Sequence, residues 1–443
     1  EVKPMNKFAE NLQGKLNNLL NHTLLQGLTL EGWRFNLHTT NLLEVGLKNN
    51  KLGGPYTAPS LKTETAGEIY LLWSGHRFTI AQIDRNVLEE FEINLELWQK
   101  TAYEDQWGAG LVEPYEPPLI PLAQEEAVTI VNGEFDWAFS LLEEGRRGLV
   151  DCDCRKVDGG VRIIYDQQLT ANSAGLWIAY DQTPVEFYLQ GDDLFSDYFA
   201  EKRLPTKEEH SRLINYTGET TKQLKKPTPF STRSEMFVIF PPKVFEAFLE
   251  HFLLSNLSGN LIANRQSAFN IEDFTEKKQI FRTDFTVRVD GTRPYRYNSF
   301  RCTKEGVPSS QVELIQAGRL NTPLLDLKYA RKLDLEPTPI PVGGGRGLLV
   351  SVPGIKTLEE VIQELDDGLI IYSLLGLHTQ DYSSGKFSLK ADQCLLVKNG
   401  EIRGKVEALI VGNFLEGLKA DDSIFARATQ EENPAFCMKV HVS

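Results

Sequence analysis

Residues 241–254, PPKVFEAFLEHFLL, decide how the second half of this chain is read. The paired prolines suit the first turn of a helix. Val244, Phe248 and Phe252, with Phe245, Leu249 and Leu253 beside them, recur at helical spacing and predict one broad apolar face. Lys243, Glu246 and Glu250 form a polar stripe, with a single histidine, His251, next to them. Two readings of that stripe stand side by side. It is the solvated side of a packed helix, or it is a metal-binding face with two carboxylates and one histidine, where a catalytic zinc takes three protein ligands.

Upstream of the helix, SEMFVIFPP reads as a strand, and downstream the pattern is mostly strands and turns. These make a β-rich region over 233–443. Earlier in the chain, Phe8, Leu12, Leu16, Leu19 and Leu20 predict an amphipathic helix within 5–27. GWRFNLHTTNLLEVGLKNN and AGEIYLLWSGHRFTIAQID then alternate as antiparallel strands. Pro and Gly concentrate in DQWGAGLVEPYEPPLIP at 105–121 and place a boundary there. A helix follows in AQEEAVTIVNGEFDWAFSLLEEGRRG, whose acidic first turn suits a helix N-terminus. A run of strands and a charged helix, TKEEHSRLINYTGETTKQL, come next. The expected architecture is α+β, with a mixed region at 1–120, a second at 121–232 packed with it, and the β-rich domain at 233–443.

With 443 residues, 41% hydrophobic and 24% charged, the composition is that of an ordinary folded protein. No apolar run approaches the roughly 20 residues that span a bilayer. The segment EVKPMNKFAENLQ lacks the basic and apolar regions of a signal peptide, so a cytoplasmic, non-membrane protein is expected. Five cysteines give no disulfide framework, and the pair in DCDC, Cys152 and Cys154, has no second pair at zinc-finger spacing. Lys and Arg total 47 against 61 Asp and Glu, a net charge of −14 that repels nucleic-acid phosphates. The basic cluster TTKQLKKPTPFSTR at 220–233 reads as a linker, and no direct nucleic-acid partner is expected.

The remaining patterns lie in the C-terminal region. An EGVP turn at 305–308 precedes Gly318-Arg319-Leu320, and a PG leads into a helix at 353–366. The segment from His378 ends in SGKFSL, followed by NGEI at 399–402 and VGN at 411–413. In this order and spacing they resemble the TldD/PmbA family of the metalloprotease system, and more closely its PmbA (TldE) branch, which carries the older label modulator of DNA gyrase. The resemblance extends, more faintly, to ANSAGLWIAYDQTPVEF at 171–187. In TldD-type members it implies an HExxxH helix, in which two histidines bind zinc and the glutamate activates water, and a cysteine ligand in a CGK-type segment. Laid over this chain, that motif falls on Phe245, Glu246, Ala247, Phe248, Leu249 and Glu250. Only the glutamate is retained, and His251 comes one residue late, about 100° away on a regular helix. Cys437 lies outside any CGK segment. Lys386 departs from the branch, and the N-terminal 120 residues match it only loosely.

The resemblance therefore implies a degenerate, pseudo-active site with no cofactor in this chain and zinc expected in a TldD-type partner. It implies a dimer, with that partner or with itself, acting on unfolded peptides. The alternative is a self-sufficient homodimeric peptidase with a metal held by Glu246, Glu250, His251 or His378. A third class, a binding protein without a proteolytic role, follows from the gyrase label. Weaker signals are GGGRG at 343–347, which lacks the Lys-Ser/Thr of a phosphate loop, and His378 with Asp381 and Ser383, Ser384 and Ser388, which lack a nucleophile elbow. Arg346, His378 and Asp381 are the candidate peptide-cleft residues. Tyr295, Tyr297 and Phe300, interleaved with Arg293, Arg296 and Arg301, suggest an exposed strand or a peptide-contacting edge.

Overall fold

Leu30–Lys48, a 19-residue strand, organises the first half of the molecule. The computed structural model describes residues 4–24, 27–53, 60–108, 110–231, 235–341, 344–428 and 431–443. Leu30–Lys48 pairs on one side with Ser60–Trp73 and on the other with Val157–Asn172. The sheet extends to Arg77–Asp84 and Tyr103–Glu104 at one end, and to Val185–Gly191 and Phe195–Glu201 at the other. Every pairing in it is antiparallel, and residues 30–201 share it.

Alternation along these strands gives the sheet two unlike faces. Trp33, Phe35, Leu43, Val45, Val161 and Phe187 are buried on one of them. There Pro4–Asn17 and Phe91–Lys100 cover one part, and Glu125–Val131, Asp136–Asp151 and Lys207–Leu224 the other. Two of these helices differ from the sequence expectation. The first ends at Asn17, whose side-chain oxygen accepts from Trp33 Nε1 at 3.0 Å, and the chain then turns back towards the sheet. The helix expected after residue 121 is two helices, broken where Gly133 takes φ 142°.

The opposite face is polar and meets the C-terminal half. Arg34 pairs with Glu305 at 3.2 Å, and Asn36 donates to the Lys304 carbonyl at 2.7 Å. Beyond residue 235, Met236–Phe240, Asp367–Leu375, Lys386–Lys398, Glu401–Asn413 and Ala435–Val442 pair in that order. Ala435–Val442 also pairs with Met236–Phe240, so the sheet closes on itself. A smaller sheet of Thr286–Asp290, Gln311–Gln316, Arg319–Leu320 and Leu349–Ser351 lies beside it. The fold is α+β with a β-rich C-terminal region. Among the described residues no helix is long and apolar enough to cross a membrane.

The 242–254 helix packs onto the closed sheet. It is α-helical over Pro242–Phe248 and changes to a π-helix over Leu249–Leu254. Phe245, Phe248 and Phe252 are fully buried, as the spacing predicts. Phe245 lies with its ring centroid 5.2 Å from Phe436 and 6.0 Å from both Phe414 and Phe425. Truncation to Phe245→Ala leaves a cavity in this cluster. We expect it to lower stability by about 3–5 kcal/mol, read as a lower urea midpoint at unchanged slope. A loss below about 1 kcal/mol, the size of an ordinary surface substitution, would contradict this packing.

Candidate functional site

The polar side of the same helix forms one wall of a cleft of about 620 Å³. Lys243, Glu246, Ala247 and Glu250 line it from the helix. Glu186, Tyr188, Ser196 and Tyr198 line it from the polar face of the two outer strands, and Arg346 and Tyr297 from two loops. The polar stripe is therefore neither a bare solvated surface nor a core contact: it faces the other half of the chain.

Arg346 reaches the cleft because the Gly344–Gly347 turn lies directly on the helix backbone. A Cβ on Gly345 would meet the Glu246 carbonyl oxygen at 1.9 Å, and Gly344 adopts φ +61°. Only glycine allows that approach. The glycines of this segment thus serve packing against the helix; Gly343 lies outside the described residues. The Gly345 N–H faces the Glu250 carboxylate at 3.4 Å.

Charges in the cleft are distributed among specific partners. Lys243 pairs with Asp197, donates to the Tyr198 carbonyl at 2.6 Å, and lies over the Tyr198 ring at 4.1 Å. The Arg346 guanidinium lies 5.2 Å from the Tyr198 ring centre and 5.4 Å from that of Tyr297. The Tyr297 hydroxyl donates to Glu186 at 2.7 Å, and burial, reinforced by that bond, pushes it up to about 12. Glu246 accepts from Asn433 Nδ2 at 3.1 Å. Enclosure raises its carboxyl above the usual carboxylate range, against the opposing pull of Arg346 and of the Asn433 hydrogen bond.

The loop carrying Tyr297 is fastened to the sheet. Glu201 accepts from Arg296 at 2.7 Å and from the Tyr297 N–H at 2.9 Å, while Arg293 pairs with Glu432. Phe300 is buried. Of the aromatic and basic residues in this segment, Tyr297 is the one lining the cleft; the segment is a tethered loop rather than an exposed strand.

The other candidates are placed elsewhere. His251 donates from Nε2 to the Gln380 carbonyl at 2.9 Å and stands edge-on to Phe252. Because it sits in the π-helical segment, the rotation expected for a regular helix does not apply, and this hydrogen bond fixes its direction. His378 is exposed in the short turn Leu377–Thr379. Asp381 accepts from the Ser383 N–H at 3.0 Å and its hydroxyl at 2.8 Å, capping its own turn, and it lines a separate groove with Lys386, Phe387 and Val411. All five cysteines are free, and Cys437 is buried, with its thiol pushed up to about 12 by that burial. Among the described residues, no three His, Cys, Asp or Glu side chains are grouped to hold a metal ion.

Sequence reasoning missed Tyr198, Asp197 and Asn433. The first two lie on Phe195–Glu201, where alternation puts Tyr198 at an outward position and Asp197 at a buried one, but nothing local says which helix meets them. Asn433 comes from the far end of the chain.

Because ionised Glu246 is disfavoured in the fold, its contribution to stability is full below the ordinary carboxylate range and is lost as pH rises through its raised value. Glu246→Gln mimics the protonated form. We expect it to melt a few degrees above the wild type at pH 8, with the difference vanishing near pH 4. A pH-independent difference, or a less stable variant at pH 8, would contradict the assignment.

Residues 233–436 match the model of the PmbA/TldA metallopeptidase C-terminal domain. A metalloprotease PmbA homologue of Buchnera aphidicola is 28% identical over 186 residues, 41% of this chain and 39% of that one. The curated relatives are matched over 58% or less of their own length. Over the whole fold, the chain is similar to TldE from Thermococcus kodakarensis, with a TM-score of 0.81 at 18% identity, covering 98% of this chain and 100% of that one. It is also similar to a Thermotoga maritima protein described as a modulator of DNA gyrase, with a TM-score of 0.77 at 19% identity, covering 99% and 100%.

Proposed function

By its C-terminal domain this chain belongs to the PmbA/TldD family, and from there we propose that it is a TldE-like, non-catalytic subunit of a two-chain zinc metalloprotease acting on unfolded peptides in the cytoplasm. The observation that carries this reading is the set of groups at the degenerate motif. Phe245 is interleaved with three aromatic rings, and the helix presents Glu246 and Glu250 to a cleft that also holds Lys243 and Arg346. Two fixed cations beside two carboxylates do not suit a divalent ion, which needs donors unopposed by positive charge. A glutamate without a metal lacks the means to lower the pKa of water.

On this reading a TldD-type partner supplies the zinc, and this chain shapes the enclosure and holds peptide. Its regions 1–120 and 121–232 contribute to one sheet, and 233–443 carries the degenerate helix. Phe195–Glu201, the outermost strand of the large sheet, borders the cleft, and an extended peptide laid along such an edge gains main-chain hydrogen bonds with little sequence preference. The self-sufficient peptidase receives no support from His251 or His378, since the first is held by Gln380 and the second lies outside the cleft. The net charge of −14 works against direct DNA contact.

Mixing the purified chain with a TldD-type protein from the same organism tests this. The isolated chain is expected to leave an unfolded peptide intact, and the mixture to co-elute on size exclusion and cleave it. Cleavage by the isolated chain would overturn the proposal.

A further inference from the structure

We propose that the cleft captures a carboxylate group of its peptide ligand through the guanidinium of Arg346, held between the rings of Tyr198 and Tyr297. This rests on the peptide-binding reading above and specifies its chemistry.

The partners within the cleft leave Arg346 as the unmatched donor. Lys243 is taken by Asp197 and the Tyr198 carbonyl, Glu186 by the Tyr297 hydroxyl, and Glu246 by Asn433. Two other arginines of this half of the molecule, Arg296 and Arg282, meet Glu201 and Asp284, both at 2.7 Å. Arg346 has no carboxylate oxygen within 4.0 Å among the described residues, and its side chain makes no hydrogen bond there. It is also absent from the buried side chains lacking partners, so its nitrogens remain open to the cleft.

Its setting suits recognition rather than packing. The guanidinium lies near the centres of two aromatic rings, a cation–π setting that leaves its N–H donors free for a ligand. That planar fork matches both oxygens of a carboxylate, which a lysine ammonium cannot do. The glycine turn packed on the helix backbone holds Arg346 in place before any ligand arrives, limiting the ordering cost of binding. Glu246 is the first of the carboxylates acting on Arg346, and enclosure raises its carboxyl above the usual carboxylate range. The volume, about 620 Å³, admits the end of a peptide or a few of its side chains.

Calorimetric titration of the full chain with three short, acetylated, unstructured peptides tests the assignment. The first has a free C-terminal carboxylate and no acidic side chain, the second is its C-terminal amide, and the third is that amide with one internal glutamate. The free acid is expected to bind about tenfold or more tightly than the neutral amide, the effect of a charge-assisted bidentate pair. Arg346→Gln removes that preference and Arg346→Lys keeps only part of it, with melting curves showing both variants folded. If the glutamate-containing amide also gains affinity, a side-chain carboxylate serves; if it does not, the chain terminus is the group recognised. Equal binding of acid and neutral amide, or a preference that survives in Arg346→Gln, overturns the carboxylate assignment while leaving peptide binding intact. Binding of none of the three overturns both.

Discussion

Phe245, Phe248 and Phe252 lie on one side of the 242–254 helix, buried against Phe387, Phe414 and Phe436, and this contact sets which residues face the cleft. With the aromatic side fixed, Lys243, Glu246 and Glu250 can only face the large sheet. The Gly344–Gly347 turn then closes on the exposed helix backbone, so near that a side chain on Gly345 has no room. The position of Arg346 follows from that approach. A change in the rotation of the helix would displace both walls of the cleft.

The second constraint is electrostatic and joins the two halves of the chain. Glu201, at the end of the outermost strand, holds the loop that carries Tyr297. Its neighbour Lys202 is buried and donates to the Ser299 carbonyl, and burial pushes it down to about 7 against the attraction of Asp166 and Glu201. Lys243 crosses from the helix to Asp197 on the same strand. The sheet of the first half and the helix of the second are therefore fastened through the residues that bound the cleft, so the site depends on both.

Much of this was legible in the sequence. The recurrence of Phe245, Phe248 and Phe252 identified the buried side of the helix, and alternation along the long strands gave antiparallel sheets with one polar face. Local pattern said less about interruptions. The first helix stops at Asn17 because that side chain is held by Trp33, a tertiary contact invisible to periodicity. The helix after residue 121 breaks at a glycine whose φ is positive, and the π-helical turn at Leu249–Leu254 has no signature in residue type. Arg346 and Glu246, one hundred residues apart, line the same cleft, while His378 and Asp381, which looked equally suitable, lie outside it. Composition marks which residues carry chemistry, and packing decides which of them meet.

We propose that the helix at the heart of this site supports a cleft and holds no metal of its own. Elemental analysis of zinc in the purified, folded chain, prepared without chelators, addresses it most directly. Clearly substoichiometric zinc is expected, unchanged when Glu246 and Glu250 are both replaced by glutamine. One zinc per chain, lost on those replacements, would contradict it and make the polar stripe a metal site.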